Sequence, residues 1–180
     1  MKPIYVTLIF LLLILLTSCS SNTQKTSKKQ EPTLLPKVTK PCDKINALIN
    51  EYDNDFNKIK LKMMTTKYSR IWKAKYHLVG DNCQVWAWFG NKHTYSCSNT
   101  VPNKEIAEYY FQNAKNTAKS CLGTEWVIKE SARKNDEGYT VEFKKEDSDL
   151  MLAAHMVPTA SLFKSGWTVY YYIGSVSQVE

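Results

Sequence analysis

The chain has 180 residues and a formal net charge of +7 at pH 7, which by itself would suit a nucleic-acid-binding protein. The distribution of the charge argues against that class. Residues 20–41 carry five lysines and one glutamate, whereas residues 42–180 carry 18 basic and 16 acidic residues. No basic stripe is therefore left on a predicted helix of the folded part, and we expect no nucleic-acid partner.

The N-terminus has the layout of a secretory signal peptide. Lys2 precedes a run of thirteen mostly apolar residues, Ile4–Leu16. A membrane-spanning helix needs about 20 apolar residues, so this run is short for a permanent span and suits a signal sequence. We predict a signal peptide over residues 1–18.

The apolar run ends in Leu16-Thr17-Ser18-Cys19, which resembles the lipobox of bacterial lipoproteins. The resemblance implies that the Cys19 thiol accepts a lipid before cleavage and anchors the chain in a membrane. The even number of cysteines in the rest of the exported chain predicts disulfides and favours a Gram-negative periplasm as the location. In such lipoproteins an aspartate after the cysteine usually retains the protein at the inner membrane, so Ser20 favours the outer membrane. The alternative is an ordinary signal peptide with a chance cysteine.

Residues 19–41 are predicted to form a disordered, Lys/Pro-rich tether, because this polar composition cannot bury enough apolar surface to offset its ordering entropy. Its reach is roughly 25 Å. Residues 42–180 suit a single domain. An even number of cysteines in an exported domain predicts disulfides, and the short paired spacings of a metal site are missing. The four cysteines are Cys42, Cys83, Cys97 and Cys121.

Apolar periodicity predicts the first elements of the domain. An amphipathic helix begins after Asp43 as N-cap and extends to about Lys62, and a strand follows from Trp72 to Leu78. Two strand-like runs, residues 83–89 and 92–98, are separated by Gly90-Asn91, which is typical of a two-residue hairpin loop. The helical periodicity comes from Ile45, Leu48, Ile49, Tyr52, Phe56 and Ile59.

The two-residue loop fixes a cross-strand register. With residue 89 opposite residue 92, Gln84 lies opposite Cys97, and the side chain of Cys83 points to the other face of the hairpin. Cys83 and Cys97 then cannot bond to each other, and we predict the pairs Cys97–Cys121 and Cys42–Cys83. A one-residue change in the turn would reverse this prediction.

The sequence pattern in the second half of the domain predicts one helix and four strands. The helix begins at Pro102 or Asn103 and carries an apolar face up to Leu122. Strands are predicted over residues 126–133, 139–145, 150–157 and 167–173. The order helix, three strands, helix, four strands indicates an α+β fold, with two helices packed on a mainly antiparallel sheet and two disulfides as staples.

The sequence carries no signature of catalysis. His77, His93 and His155 lie in no metal-ligand spacing, and there is neither a nucleophile elbow around a serine nor a glycine-rich phosphate loop. We interpret His155 as a satisfied or edge-facing histidine and not as a catalytic base. We therefore expect a protein without enzymatic activity, cofactor or bound metal.

Aromatic residues are concentrated in the predicted hairpin and in the last predicted strand, and this feature points to binding. Tryptophan and tyrosine are enriched in interface hot spots, and two helices leave part of a broad sheet open. The alternative is a strand covered on both faces, and the sequence leaves both interpretations open. The candidate partner-binding residues are Trp86, Trp88, His93, Tyr95, Tyr170 and Tyr172.

These observations favour a membrane-anchored protein-binding lipoprotein. One version is an inhibitor or immunity protein that neutralises a toxic effector enzyme, because exported immunity lipoproteins of interbacterial secretion systems have a similar organisation. A second version is an assembly or pilotin-type accessory lipoprotein of an envelope or secretion complex. A glycan- or lipid-binding module is a third alternative, since aromatic side chains also stack on sugar rings.

Overall fold

The computed structural model describes residues 40–66, 69–88, 90, 92–161 and 164–175. The predicted signal peptide, the lipobox with Cys19 and the tether up to residue 39 lie outside these residues, so they stay predictions. Within the described residues, no helix is long and apolar enough to cross a membrane.

The described residues form two helices and eight strands. The helices are α1 (Pro41–Asn50) and α2 (Lys104–Cys121). The strands are β1 (Lys60–Thr65), β2 (Arg70–Ala74), β3 (Asn82–Ala87), β4 (His93–Val101), β5 (Trp126–Ala132), β6 (Tyr139–Lys145), β7 (Leu150–Ser161) and β8 (Lys164–Ser175).

The eight strands form one sheet in the order β1-β2-β3-β4-β8-β7-β6-β5, and every neighbouring pair is antiparallel. The C-terminal strand β8 lies between β4 and β7 at the centre, while β1 and β5 are the edges. The predicted α+β fold, with two helices on an antiparallel sheet, is therefore confirmed.

The hydrophobic core lies between the helices and one face of the sheet, which we call the covered face. Direct cross-strand partners share a face of an antiparallel sheet. One row of such partners crosses five strands with every side chain fully buried: Val85, Tyr95, Ile173, Leu152 and Phe143. The helices close the core with Ile45, Leu48, Ala107, Phe111, Ala114 and Ala118.

Helix α1 is shorter than predicted. Its N-cap is Lys40 and not Asp43, and it ends at Asn50 rather than near Lys62. Consecutive turns follow up to residue 59, and within them Asp55 and Phe56 adopt left-handed backbone conformations, which a continuous right-handed helix does not contain.

The turns after α1 still bury the apolar residues of the helical pattern, because Phe56 and Ile59 are in the core. Glu51 organises this segment: its carboxylate accepts hydrogen bonds from the side chain of Asn54 and the backbone N–H of Lys58. Side-chain bonds to nearby backbone groups offer the chain an alternative to helix. The apolar spacing therefore predicted correctly that Phe56 and Ile59 are buried, but it predicted wrongly that this segment is helical.

Strand β1 was not predicted, and β2 ends at Ala74 rather than at Leu78. β1 pairs with β2 over residues 60–65 and 70–74, with an irregularity in the register between Lys60 and Met63. After β2 an irregular connection buries Tyr76 and Val79 against the core. The alternation of apolar and polar residues that predicted a strand up to Leu78 therefore comes from a loop that turns its apolar side chains toward the core.

The β3–β4 hairpin differs by one residue from the predicted register. The backbone N–H of Trp88 donates to the carbonyl of Lys92 at 2.8 Å across residues 89–91, so the loop has three residues and not two. Cys83 consequently lies opposite Cys97. Because a one-residue slip moves each side chain to the other face, the predicted facing of Cys83 was wrong.

The four cysteines form two disulfides, as predicted, but the predicted pairs Cys97–Cys121 and Cys42–Cys83 are wrong. The bonds are Cys83–Cys97 and Cys42–Cys121. The first joins β3 to β4 on the covered face, as the corrected register requires. The second ties the beginning of α1 to the end of α2 and so fixes the helical layer.

Candidate binding face

The other face of the sheet carries no helix among the described residues, and we call it the open face. Its side chains come from the strand positions that alternate with those of the core. Two adjacent cross-strand rows form its centre. The first row is Gln84, Ser96, Tyr172, Ala153 and Glu142, and the second is Ser98, Tyr170, His155 and Thr140.

Tyr170 and Tyr172 stack on each other at the centre of the open face. Their ring centroids are 5.7 Å apart and their planes differ by 11°. Both side chains are half-buried. Burial, followed by the neighbouring Tyr170, raises the pKa of Tyr172 to about 12. The hydroxyl therefore keeps its proton at neutral pH and can donate a hydrogen bond.

Trp86 and Trp88 form a second stacked pair on the same face. Their ring centroids are 5.9 Å apart and their planes differ by 18°. The indole Nε1 of Trp88 donates to Thr94 Oγ1 at 3.1 Å, which holds the ring against β4, yet Trp88 is 42% exposed. Two strand spacings, about 10 Å, separate the tryptophans from the tyrosines.

His155 packs edge to face with Tyr172, their ring centroids 5.3 Å apart. Its Nδ1 lies 3.3 Å from Arg133 Nη1 and 3.2 Å from Thr140 Oγ1. Burial, and then the positive charge of Arg133, lower the pKa of His155 to about 4. A guanidinium only donates, so Nδ1 is the acceptor and the neutral ring carries its proton on Nε2.

Beside Tyr172, His155 Nε2 is buried and lacks a hydrogen-bond partner among the described residues. Glu142 Oε2 is also buried, but it forms an ion pair with Lys144 Nζ 3.3 Å away. Both side chains flank the small Ala153, since Glu142 lies opposite it and His155 lies two residues along β7. Buried polar groups usually have partners, so this part of the open face has unused hydrogen-bonding capacity.

The charged strand residues of the open face are mostly basic. Lys73 lies opposite Gln84, Lys129 opposite Glu142, and Lys144 opposite Met151. Arg133 at the end of β5 adds a fourth cation and pairs with Asp136 at 3.1 Å. Glu142 is the one carboxylate among the described strand residues of this face. The electrostatic complement of such a surface is acidic.

The structure divides the six candidate partner-binding residues between the two faces. Trp86, Trp88, Tyr170 and Tyr172 lie together on the open face. Tyr95 is fully buried in the core, where its hydroxyl donates to the Tyr76 carbonyl at 2.9 Å.

His93 also lies on the covered side, opposite Ala87. Its Nδ1 is 2.9 Å from Asp55 Oδ1, and its ring centroid is 5.9 Å from that of Trp72. The one-residue error in the hairpin register placed both His93 and Tyr95 on the wrong face. The open face therefore does not include them.

Arg133, Glu142 and Thr140 belong to the candidate surface although the sequence did not single them out. Strand alternation alone puts Glu142 and Thr140 on one face of β6. Their neighbours on β7 and β8 follow only from the pairing of three strands. The sequence signal that could have pointed to this surface was His155, a polar residue inside an apolar run.

In the described part of the chain, no three histidine, cysteine, aspartate or glutamate side chains are grouped so that they could hold a metal ion. No family model, no curated protein and no solved structure matches this chain.

Proposed function

We propose that this chain is a lipid-anchored periplasmic protein that binds a toxic effector enzyme through its open face and inhibits it. The N-terminal sequence supports the location, because an apolar run of signal-peptide length ends in a lipobox at Cys19. The two disulfides agree with folding in an oxidising compartment.

The observation that carries the proposal is the pair of aromatic stacks on the sheet face that no described helix covers. Large aromatic side chains give much contact area for little loss of side-chain entropy, and they dominate interface hot spots. Trp88 is exposed and Tyr170 is half-buried, so both reach the surface. Around them, hydroxyl and amide groups on β3 and β4 form a polar rim.

The chemistry of the open face favours a protein surface with acidic groups around an apolar centre. Lys73 and Lys129 are exposed at opposite sides of the aromatic region. Cations around an aromatic centre attract an acidic partner and accelerate association. Many hydrolases place catalytic carboxylates in a cleft, and such a cleft is an acidic surface that an inhibitor can occlude.

Site-specific photocrosslinking tests the proposal. A photoreactive phenylalanine analogue replaces Trp88 on the open face or, as a matched control, Tyr109, which is 69% exposed on α2. Cells are irradiated while in contact with sister cells, so that exchanged effectors reach the periplasm. We expect one protein to be crosslinked from position 88 and not from position 109, and the purified protein to be an enzyme that this chain inhibits.

Other outcomes would contradict the proposal in distinguishable ways. A crosslinked subunit of a resident membrane complex would favour the assembly or pilotin-type alternative. Equal capture from positions 88 and 109 would show that the open face is not the interface. If no protein is captured and saccharides quench the fluorescence of Trp88, the glycan-binding alternative is the better one.

A further inference from the structure

Strand β5 is an edge of the sheet that remains open to pairing. Among the described strands it pairs with β6 alone, its pairing is regular from end to end, and the six residues after Trp126 are exposed. The other edge, β1, has an irregular register between Lys60 and Met63. An irregularity of this kind protects an edge from a further strand, so β5 is the edge suited to accept one.

The backbone groups that β5 offers can be assigned residue by residue. The N–H of Arg133 donates to the Gly138 carbonyl at 2.9 Å, so the backbone groups of Arg133 point toward β6. In an antiparallel ladder this direction alternates along the strand. The N–H and C=O groups of Ile128, Glu130 and Ala132 therefore point away from β6, toward the position of an added strand.

Two apolar side chains at the beginning of β5 favour pairing along this edge. Val127 is 64% exposed and Ile128 is 39% exposed. Ile128 lies on the covered face, because its cross-strand partner is the core residue Phe143, and Val127 lies on the open face. A strand added beside β5 would remove apolar surface from water on both faces of the sheet.

The charges of β5 select the register in which a second copy would pair. Two identical edges join antiparallel about a two-fold axis perpendicular to the sheet, and the residue at the axis lies opposite its own copy. Axes at Ile128, Lys129 or Glu130 overlap five or more strand residues. The axes at Lys129 and Glu130 place like charges directly opposite each other, which is unfavourable. The axis at Ile128 places isoleucine against isoleucine, with Val127 opposite Lys129 of the second copy and Trp126 opposite Glu130.

We propose that this chain forms a dimer in which β5 pairs antiparallel with β5 of a second copy, with Ile128 at the two-fold axis. The two eight-stranded sheets then join into one continuous sheet. Both helical layers lie on one side of it, and both open faces lie on the other. The dimer therefore presents two open faces in the same direction, and neither is covered by the pairing.

This symmetry suits two chains that are anchored in one membrane. The described chain enters the domain at Lys40, the N-cap of α1, in the helical layer. The two points at which the tethers join their domains therefore lie on the same side of the dimer. Anchoring in one membrane raises the effective concentration of each chain for the other. Only this step rests on the proposed lipid anchor, because the pairing itself depends on β5.

Disulfide trapping in membranes tests the pairing. The full-length chain with Ile128→Cys is oxidised in isolated membranes that contain no effector. Opposite Cα atoms of an antiparallel pair are about 4.5–5.5 Å apart, which is within disulfide range. We expect a covalent dimer of the chain. The matched control is Leu61→Cys, which is 55% exposed on the other edge strand and should stay monomeric.

A second pair of variants tests the register. Val127→Cys and Lys129→Cys are expressed together in one cell with different affinity tags. In the proposed register these two positions lie opposite each other, whereas each lies about 7 Å from its own copy. We expect disulfides between the two tags to outnumber those within either tag. Trapping of Lys129→Cys with itself, and not with Val127→Cys, would place the axis at Lys129 and overturn the proposal.

Sedimentation equilibrium of the full-length chain in detergent tests the interface without a crosslink. Ile128→Lys places two ammonium groups opposite each other at the axis, so the dissociation constant of the dimer should rise about tenfold. Leu61→Lys on β1 should leave it unchanged. Denaturant unfolding checks that both variants fold, and trapping through Ile128→Cys keeps the proposal testable if Ile128→Lys does not.

The proposal is overturned if Ile128→Cys gives no more covalent dimer than Leu61→Cys, or if its crosslinked product contains a different protein. It is also overturned if Ile128→Lys folds and sediments with the same dissociation constant as the wild type. These outcomes leave the proposed effector binding untouched, because no effector is present and the open face is probed separately from position 88.

Discussion

Arg133 Nη1 lies 3.3 Å from Nδ1 of His155 on the open face. Burial, and then the positive charge of Arg133, lower the pKa of His155 to about 4 and keep the imidazole neutral. A histidine that is neutral in the folded protein and free to protonate in the unfolded chain links stability to pH.

We expect the free energy of unfolding to decrease as the pH falls from about 7 to 5. Below the usual histidine pKa of about 6.5 the unfolded chain binds a proton that the folded protein does not, which costs roughly 2 kcal/mol by pH 5. Urea unfolding at several pH values measures this slope. His155→Gln should flatten it. Parallel profiles for the wild type and His155→Gln would contradict the role of His155.

Two core tyrosines provide a matched pair for stability. Tyr95→Phe should lower the free energy of unfolding by about 1–3 kcal/mol, because it leaves the buried Tyr76 carbonyl without its donor. Tyr171→Phe should leave stability unchanged or raise it by up to about 1 kcal/mol, since its hydroxyl has no partner among the described residues. Denaturant unfolding at neutral pH distinguishes them. Equal losses would show that Tyr171 does have a bonding partner.

The disulfide connectivity predicts which thiol each single substitution releases. Cys42→Ala should leave Cys121 as the free thiol and Cys83–Cys97 intact, as alkylation and peptide mapping would show. This bond joins residues 79 positions apart, so its loss should cost about 4–5 kcal/mol in the chain-entropy account. Alkylation of Cys83 in the same variant would instead support the pairing Cys42–Cys83.

Trp88→Ala should weaken partner binding far more than it weakens folding. The side chain is 42% exposed, so its removal should change the free energy of unfolding little. Truncation of an aromatic hot spot costs about 2 kcal/mol or more in binding, which is about thirtyfold in affinity. Titration calorimetry with the captured enzyme measures this loss. The control is Tyr109→Ala on α2, and a comparable loss there would contradict an interface on the open face.

Cys19→Ser should release the chain from the membrane and leave its domain folded. The resemblance to the lipobox makes this thiol the acceptor of the lipid, so metabolic labelling with palmitate should disappear together with membrane sedimentation. Ser20→Asp is the companion variant, which should keep the label and move the chain to the inner-membrane fraction. A Cys19→Ser chain that still sediments with membranes would argue against the lipid anchor.

The amino-acid sequence determined the elements whose side-chain periodicity is strong and local. Helix α2 begins where Asn103 caps it, with the Asn103 side chain accepting the N–H of Ile106, and its predicted face is buried at Ala107 and Phe111. Alternation likewise located strands β5 and β6 and put Tyr170 and Tyr172 on one face of β8. These features depend on neighbours a few residues away, which the sequence displays directly.

Tertiary structure decided the features that depend on a single residue of register or on distant pairing. One additional loop residue before Lys92 reversed the facing of Cys83, His93 and Tyr95, and with it the disulfide pairs. Helix α1 ended at Asn50 although the apolar spacing continued, and the left-handed residues Asp55 and Phe56 lie in the turns that follow it.

The surroundings of the open-face residues were also outside the reach of sequence analysis. Arg133 lies beside His155 only because β5 and β7 both pair with β6. Local periodicity shows which side chains share a face, but the packing of the whole domain determines what that face contacts. The free-energy difference between one packing and another is small compared with the large opposing terms that make it up, and no short segment of the sequence determines it.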